Sequence, residues 1–422
     1  MHKTDFDPYD FSKKEISGIP VYYKNLPWAP CIHIHIVFNT GAFNDPAGKE
    51  GLSHFLEHMI FDGSPLLKSK KEIKEWSKSN ALNTWNAGTG FYDTSYYLKC
   101  LPEKYNTVLI GMKDMIFNSY LREEDIENER KVILQEAWGR FQNQKFLDYL
   151  KVVFDNLYYG HNKARFNSPL GWPETIEKIS SEDIRSWYKD NYVKGNFYIV
   201  VVGAIDQNHI EDLSKYFNDI PTSLTQKRNV GLVNKPKQNR FVKTADEIGE
   251  VKEQVEITIS RFMDSLSLEN SYIMSGTRRL LQDILHEKMR IENSLCYGVN
   301  VRSGSSQDYS EILMNVKTDE INIEIVEKMF WETIEEVISG KHMDRFDKLK
   351  ILSLEQIESQ ERMSGDIIRT AIYEINIHKK IETLEESLSM AKKVSYEDVV
   401  RFASETFIPS HVFTEIILPS KK

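Results

Sequence analysis

Two segments of the chain, 215 residues apart, carry the same pattern of residue types. Residues 178–203 and residues 393–418 each carry, near their start, a serine three positions before an aspartate, Ser180 and Ser395. Each segment continues with an aromatic-rich stretch and closes in a run of β-branched residues. The start of this pattern is typical of a capped helix, and its end is typical of a strand. The same offset pairs Tyr192 with Phe407. We therefore predict that the chain is a tandem duplication.

A second pair of segments agrees with the duplication. Residues 127–136 and 346–355 each read as a charged helix with an apolar stripe, although unrelated amphipathic helices share that pattern. Residues 221–240 lack periodicity and contain proline and glycine among polar residues, which is typical of a linker. We predict an N-terminal domain over residues 1–220, this linker, and a homologous C-terminal domain over residues 241–422.

Each predicted domain mixes strands with long amphipathic helices. The strands do not alternate with helices at the spacing of regular βαβ units. The length of 422 residues also exceeds that of a typical single domain. We therefore predict an α+β fold, in which each of two tandem domains is a mixed, mostly antiparallel β-sheet covered by helices.

The composition argues against several classes of protein. The net charge of −9 is opposite in sign to that of a nucleic-acid-binding surface. The three cysteines are scattered, which suits a reducing compartment and excludes a cysteine-based zinc site. The longest apolar stretch, residues 197–205, is too short to span a membrane, and the N-terminal residues lack the pattern of a signal peptide. We expect a cytoplasmic protein that binds neither nucleic acid nor membranes.

The strongest chemical signal is the sequence His54-Phe55-Leu56-Glu57-His58. On a helix, residues four apart lie on one face, so both imidazoles can reach one ion. Glu57 lies beside them, where its carboxylate can hold a water molecule and accept its proton. Zinc suits this set because it accepts imidazole and carboxylate ligands together and is not redox-active. A catalytic zinc site also needs a third protein ligand and an open position.

Glu129 and Glu136 are candidates for the third ligand. They are seven residues apart, which is two turns along one face of a helix. Such pairs of acids are common on solvated helices. Apolar residues beside them show that one face of this helix packs against the rest of the protein. An acid close to that buried face is more often paired with a metal or a ligating histidine than an acid on the solvated face is. The spacing alone does not choose between the two glutamates.

Two other histidines, His33 and His35, alternate with isoleucines in residues 31–39. A second metal bound by two histidines on one strand face is one interpretation of this pattern. A polar or helix-covered strand face is the ordinary one. We therefore do not predict a metal site there.

The motif HxxEH, followed some tens of residues later by ExxxxxxE, resembles the pitrilysin–insulysin–mitochondrial processing peptidase family, the inverzincins. The resemblance implies that His54, His58 and Glu136 bind one zinc ion per chain. It implies that Glu57 is the general base. It makes Glu129 a supporting acid that orients the site.

Residues 85–97 resemble a strand pair of the same family, with the pattern Asn-Ala-x-Thr…Thr-x-Tyr. In the family this segment is the edge strand on which the substrate docks, and this implies that Asn86 and Ala87 bind substrate. The glycines that usually precede the strand are replaced in residues 80–83. Asn83 is therefore an alternative to Asn86, although the spacing to Thr94 favours Asn86.

Arg290 and Tyr297, seven residues apart, resemble the Arg…Tyr pair of the family's C-terminal domain. The resemblance, which covers roughly residues 15–418, implies that this pair stabilises the tetrahedral intermediate and anchors the substrate backbone. Half-length members of the family form dimers. Because this chain carries both the zinc motif and the Arg…Tyr pair, we expect a homodimer in which the pair completes the active site of the other subunit.

The resemblance implies a zinc-dependent endopeptidase that cleaves oligopeptides or unstructured polypeptide segments inside a closed chamber built from four homologous domains. One alternative is a non-catalytic or regulatory subunit of a heteromeric processing peptidase, although such subunits usually lose motif residues that this chain keeps. Another is an unrelated zinc hydrolase that acts on a small molecule. The zinc stoichiometry and peptide cleavage would separate these hypotheses.

Overall fold

A computed structural model of the protein describes residues 6–82, 85–157, 168–223, 236–360 and 362–421, except for the side chains of residues 154–157. The alternative docking residue Asn83 and most of the predicted linker lie outside these residues. The chain divides into two compact units, each with segments from both halves of the sequence. The first unit consists of Met1–Arg140, Lys163–Asn229 and Arg362–Ile375, and the second of Phe141–Asn162, Val230–Glu361 and Asn376–Lys422. The domain boundaries at residues 220 and 241 stay predictions.

The described residues form eleven strands and fourteen α-helices. In chain order, the strands are β1 (Ser12–Ile16), β2 (Ile19–Asn25), β3 (Ile32–Phe38), β4 (Asn86–Thr89), β5 (Thr94–Cys100), β6 (Phe197–Gly203), β7 (Arg240–Thr244), β8 (Val255–Asp264), β9 (Cys296–Ser305), β10 (Tyr309–Thr318) and β11 (Phe413–Leu418). The helices are α1 (Leu52–Met59), α2 (Lys70–Asn80), α3 (Tyr105–Phe117), α4 (Glu123–Phe141), α5 (Gln144–Leu157), α6 (Pro173–Ile176), α7 (Ser181–Asn191), α8 (Gln207–Phe217), α9 (Leu268–His286), α10 (Ile323–Ile338), α11 (Met343–Ser359), α12 (Ser364–His378), α13 (Leu384–Lys393) and α14 (Tyr396–Thr406). None of these helices is both long enough and apolar enough to cross a membrane.

The two units contain sheets of the same topology. The strand order is β1-β2-β6-β3-β5-β4 in the first sheet and β7-β11-β8-β10-β9 in the second. In the first sheet β2 and β6 are parallel, and all other neighbours are antiparallel. In the second sheet β7 and β11 are parallel, and all other neighbours are antiparallel. From β2 onward the sheets match strand for strand, which confirms the α+β class and the tandem duplication.

Helices α7 and α14 show the duplication at the level of single hydrogen bonds. The hydroxyl oxygens of Ser180 and Ser395 accept hydrogen bonds from the backbone N–H groups of Asp183 and Asp398. Each aspartate carboxylate in turn accepts a hydrogen bond from the serine N–H group, at 2.8 and 3.0 Å. This capping box satisfies N–H groups that the first turn of a helix leaves without partners.

Strand β3 lies inside the first sheet, between β5 and β6. Its three isoleucines are fully buried on one face. His33 and His35 lie on the opposite face and are half-buried. The Nε2 atom of His33 lies 3.0 Å from the Oγ atom of Ser364, at the start of α12. A helix therefore covers this part of the strand, which agrees with the ordinary interpretation of the two histidines.

In the second unit, the core lies between one face of the sheet and helices α9, α10 and α14. Burial alternates along much of β8, which contributes Val255, Ile257 and Ile259 to this core. Helix α9 contributes Leu280 and Ile284, among others, from the face that packs on the sheet. The period of two in the strand and the periods of three and four in the helix thus bury one face of each element.

Helix α1, which carries the HxxEH motif, is held at its N-terminus by a carboxylate that lies six residues before Gly51, outside the helix. Gly51 precedes the helix with a φ of 99°, in the left-handed region that favours glycine. The carboxylate of Asp45 accepts hydrogen bonds from the N–H groups of Gly51 and Ser53, at 2.8 and 2.9 Å, and from the Ser53 hydroxyl, at 2.6 Å. Burial raises the pKa of Asp45 to about 7, although these hydrogen bonds favour its charged form. Every residue of α1 except His58 is buried, so the motif is held tightly.

Gly171 packs against the segment that leads into α1. A methyl group on it would lie 2.4 Å from the backbone oxygen of Glu50 and 2.6 Å from the Cα atom of Gly51. Gly171 also has a φ of 76°, which strains any other residue. We expect Gly171→Ala to lower the free energy of unfolding in urea by about 2–4 kcal/mol.

Gly139→Ala is the matched control for this substitution. Gly139 lies within α4, and a methyl group on it would meet no atom within 4 Å. Alanine there should raise the free energy of unfolding by up to about 1 kcal/mol, because it favours the helix over the unfolded chain. If Gly171→Ala were as stable as the wild type, the close contact at the start of α1 would be refuted.

Candidate metal centre

His54 and His58 of α1 and Glu136 of α4 lie close together in the first unit. The Nε2 atoms of the two histidines are 3.2 Å apart. The Oε2 atom of Glu136 lies 3.5 Å from Nε2 of His58 and 3.9 Å from Nε2 of His54. Among the described residues, this is the one group of three or more His, Cys, Asp or Glu side chains whose ligand atoms lie within 4.8 Å of one another. The structure thus brings together the three residues that the sequence resemblance proposes as ligands.

The hydrogen-bond pattern of the two histidines fits a metal ion. Nδ1 of His58 lies 2.9 Å from a carboxylate oxygen of Glu129, so Nδ1 carries the hydrogen and Nε2 presents a lone pair. Nδ1 of His54 is buried and has no hydrogen-bond partner within the described part of the chain. Burial lowers the pKa of His54 to about 3, which keeps its imidazole neutral, as that of a metal ligand must be. Two imidazoles and one carboxylate are a donor set of catalytic zinc sites.

Glu129 supports His58 and is itself supported by a lysine. Its side chain is buried, and its second carboxylate oxygen accepts a hydrogen bond from Nζ of Lys70 in α2. Nζ of Lys70 also lies 3.0 Å from a carboxylate oxygen of Asp62. Burial alone would raise the pKa of Glu129, but the hydrogen bonds from His58 and Lys70 outweigh it and lower that pKa. The charged carboxylate therefore fixes the orientation and the tautomer of the His58 ring.

Lys70 and Asp62 are site residues that the sequence analysis missed. Lys70 is separated from Glu129 by 59 residues, so no helical or strand spacing connects them. Lys70 is the first residue of α2, a helix capped by the Ser69 side chain. That cap predicts where the helix begins, but nothing in the sequence predicts what lies opposite its first turn.

Glu57 is buried beside the histidines and has one well-defined partner. Its Oε2 atom accepts a hydrogen bond of 2.6 Å from the hydroxyl of Thr89, the last residue of β4. Burial raises the pKa of Glu57, and the hydrogen bond from Thr89 opposes that rise. A buried carboxylate of raised pKa is suited to accept and return a proton. Thr89 belongs to the strand pattern noted in the sequence, but its contact with Glu57 was not predicted.

Asn86 and Ala87 lie in β4, at the edge of the first sheet. They are paired with Tyr97 and Tyr96 of β5. The Asn86 side chain is exposed, and Ala87 is half-buried. As an edge strand, β4 has a second side that is not paired with any described strand, as strand addition by a peptide requires.

Arg290 and Tyr297 lie in the second unit and contact each other. Arg290 belongs to a π-helical segment, Glu287–Glu292, and Tyr297 to β9 at the edge of the second sheet. The guanidinium carbon of Arg290 lies 4.7 Å from the centre of the Tyr297 ring, in a cation–π contact. The Tyr297 residue is 88% exposed. Both polar groups are therefore accessible to a ligand or to another protein.

The chain has two homologous α+β units, and the first carries a His-His-Glu group on two helices. This combination is typical of zinc-peptidase-like proteins. Two family models match the chain along most of its length: "Insulinase (Peptidase family M16)" at residues 21–170 and "Peptidase M16 inactive domain" at residues 178–352. The chain belongs to the insulinase family of peptidases, peptidase family M16.

Several relatives in this family are similar to this chain in sequence, some over nearly its full length and others over about half of it. The "Uncharacterized zinc protease YmxG" of Bacillus subtilis is 26% identical over 96% of this chain and 97% of its own. An "Uncharacterized zinc protease" of Rickettsia bellii is 30% identical over 50% of this chain and 49% of its own length. The "Probable mitochondrial-processing peptidase subunit beta" of Schizosaccharomyces pombe is 30% identical over 50% of this chain and 45% of its own. The match thus spans about half of the latter two relatives.

Solved structures show the same fold. A protease from Helicobacter pylori superposes with a TM-score of 0.81 at 20% identity, and the match covers 97% of this chain and 99% of that one. Pitrilysin superposes with a TM-score of 0.78 at 14% identity, over 100% of this chain and 46% of pitrilysin. In length, this chain therefore corresponds to about half of pitrilysin.

Proposed function

We propose that the protein is a zinc-dependent endopeptidase whose metal is held by His54, His58 and Glu136. The observation that carries this proposal is the convergence of two imidazole lone pairs and a carboxylate next to the buried carboxylate of Glu57. The family relatives that are named zinc proteases support it. One zinc ion per chain is the expected content.

Each residue near the metal centre has its own role in the proposed reaction. A zinc ion in this site would polarise the peptide carbonyl and lower the pKa of the attacking water. Glu57 accepts the proton of that water and passes it to the leaving amine. Thr89 holds the Glu57 carboxylate in place through its hydrogen bond. Glu129 and Lys70 keep the ring of His58 in the tautomer that leaves Nε2 free.

The substrate is proposed to be an extended peptide that adds to the edge of β4. Main-chain hydrogen bonds along Asn86 and Ala87 would hold it with weak preference for sequence. A folded protein cannot present such a strand, so oligopeptides and unstructured segments are the substrates that fit. We propose that cleavage occurs in a closed chamber formed by a homodimer. In it, Arg290 and Tyr297 of one subunit stabilise the intermediate at the metal centre of the other.

The three cysteines support a reducing compartment such as the cytoplasm. Cys31, Cys100 and Cys296 are all free thiols. Burial raises the pKa of each of them, so none of them is an activated nucleophile. Three free, unreactive thiols are what a protein of a reducing compartment carries.

The proposal is tested by zinc analysis combined with cleavage of a quenched fluorescent peptide library. We expect one zinc per chain, cleavage that a chelator abolishes, and recovery of cleavage on return of zinc. A chain that binds zinc but cleaves no peptide would support a hydrolase of small molecules. A chain that neither binds zinc nor cleaves peptides would support a non-catalytic subunit. Either result would refute the proposed function.

The two glutamates of α4 are expected to affect zinc binding to different degrees. Glu136→Gln removes a proposed ligand and should weaken zinc binding by more than the roughly 10- to 100-fold expected for Glu129→Gln, which removes a supporting residue. Competition with a chelating dye measures both. Glu127→Gln, an exposed residue of the same helix paired with Arg130, is the matched control and should leave zinc binding unchanged. A loss confined to the Glu129 variant would reverse the assignment.

A further inference from the structure

The second unit contains the counterparts of the two helices that carry the metal centre. Helix α9 is the first helix after β8, as α1 is the first α-helix after β3. Helix α11 follows β10 and α10, as α4 follows β5 and α3. Because β8 and β10 occupy the sheet positions of β3 and β5, helices α9 and α11 correspond to α1 and α4. The two helices form the walls of a cavity.

This cavity has a volume of about 100 Å³ and a mainly apolar lining. Its aliphatic and phenyl side chains are those of Phe346, Leu349, Leu354, Ile357, Ala391 and Val394. Gly276 on α9 contributes no side chain, which leaves space opposite Phe346. An engineered protein cavity of about 150 Å³ accepts benzene, so this one has room for a single aliphatic side chain. A long acyl chain would not fit.

Two adjacent arginines line a cleft that adjoins the cavity. Arg279 lines both the cavity and an adjoining cleft of about 370 Å³, which Arg278 also lines. Arg279 donates a hydrogen bond to the neutral side chain of Gln356. Arg278 has no hydrogen bond or ion pair with any described residue, and burial together with the charge of Arg279 lowers its pKa. The acid in the same cleft, Asp283, is paired with Arg345.

An unpaired, half-buried guanidinium lacks the carboxylate that would offset its loss of hydration. A carboxylate is the ligand that a guanidinium binds best, through two parallel hydrogen bonds. The side chain of Lys350 contributes a further positive charge to the cavity wall, although its ammonium group donates to the backbone oxygen of Val394. The site therefore combines space for one apolar side chain with positive charge for one carboxylate.

We propose that this cavity and cleft, formed by helices α9 and α11, bind the C-terminal residue of a peptide. Its apolar side chain enters the cavity, and its carboxylate lies between Arg278 and Arg279. A C-terminal leucine or valine carries both groups on one residue, and the cavity and the cleft adjoin each other at Arg279. The inference rests on the proposed function only for the choice of a peptide as the ligand. It assigns the second unit a role in binding chain ends, separate from the metal centre.

The test measures binding of fluorescent hexapeptides by polarisation, with the Glu57→Gln chain so that peptides stay intact. A glycine- and serine-rich hexapeptide that ends in leucine with a free carboxylate is compared with its C-terminal amide and with a peptide that ends in serine. We expect the amide and the serine peptide each to bind about tenfold or more weakly. Peptide cleavage by the wild-type chain is assayed separately, so a failure of the proposed function is recognised independently of this result.

Two variants separate the parts of the site. Arg278→Gln should abolish the preference for the free carboxylate over the amide. Ser353→Phe should fill the cavity from α11 and abolish the preference for leucine over serine. Arg240→Gln is the matched control, because Arg240 is an exposed arginine of the second unit that does not line the cavity. It should change neither preference.

Several outcomes would overturn the proposal. Equal binding of acid and amide, or a preference that survives Arg278→Gln, would refute the carboxylate site. A preference for leucine that survives Ser353→Phe would refute the role of the cavity. If the peptides do not bind and both variants instead change the mass in sedimentation, the cavity covers an interface between copies of this chain. Binding of free N-acetylleucine as tight as that of the hexapeptide would identify a small acid, and not a peptide, as the ligand.

Discussion

Glu57→Gln is expected to retain zinc and the native fold but to lower kcat by about 10²–10⁴-fold, if only proton transfer is lost. Glutamine has nearly the same shape as glutamate and can keep a hydrogen bond with Thr89, but it cannot accept a proton. Because Glu57 is not among the three residues whose ligand atoms converge, its substitution should not release the metal. The KM should change little, since the amide replaces the carboxylate without altering the strand on which a peptide would bind.

The measurement combines kcat for a fluorescent peptide with zinc content and circular dichroism of the same sample. Glu75→Gln is the matched control, because Glu75 is an exposed glutamate on the neighbouring helix α2. That variant should have the kcat of the wild type. Nearly normal peptide cleavage by Glu57→Gln with full zinc content would refute the role of Glu57 as the base. A loss of zinc in this variant would place Glu57 among the ligands.

A mixture of two inactive chains is expected to recover activity if Arg290 and Tyr297 act across a dimer. A Glu57→Gln chain lacks the base, and a Tyr297→Phe chain lacks a hydroxyl that would stabilise the intermediate. In a mixed dimer, one site then has both defects and the other has neither. Random mixing makes half of the dimers mixed, each with one intact site of two, so about a quarter of full activity should return.

The recovery depends on which chain supplies the tyrosine. If Tyr297 served the zinc of its own chain, every site would keep one defect, and mixing would restore nothing. The two chains are co-expressed with different affinity tags, and sequential purification isolates the mixed dimers, which should have about half of full activity because each has one intact site of two. A mixture of Glu57→Gln with His58→Ala is the control. Both substitutions damage the metal centre of their own chain, so every site of a mixed dimer keeps one defect and no activity should return. Inactive, verified mixed dimers of the first kind would refute completion by the partner and leave the zinc assignment intact.

The parts of the site that lie on one element could be predicted from the sequence. His54, Glu57 and His58 share one helix, so their spacing alone places them together. Glu129 and Glu136 share another helix. Glu136 lies beside Nε2 of His58 and Glu129 contacts Nδ1 of the same ring, which agrees with the ligand and the supporting acid that the family resemblance implies. The tandem sheets could also be predicted, because hydrophobic alternation and helix caps recur at a constant offset.

The parts that join distant elements could not be predicted. Lys70 contacts Glu129 across 59 residues of sequence, and Thr89 contacts Glu57 across 32 residues. Each contact joins two different elements. Asp45 is only six residues from Gly51, but it caps the start of α1 from outside the helix, whereas a sequence pattern would place a cap at Gly51 itself. These contacts depend on how the loops place one element against another, which periodicity does not encode.

The short edge strand β4 also bears on how the protein avoids aggregation. An exposed sheet edge is a template for pairing with any extended chain, including another copy of the same protein. Strand β4 is only four residues long and contains Gly88, so it presents few backbone groups and little apolar surface for such pairing. The shortness that would limit a bound peptide to about four paired residues also weakens edge-to-edge association between native molecules. Lengthening β4 to strengthen peptide binding should therefore lower solubility as well.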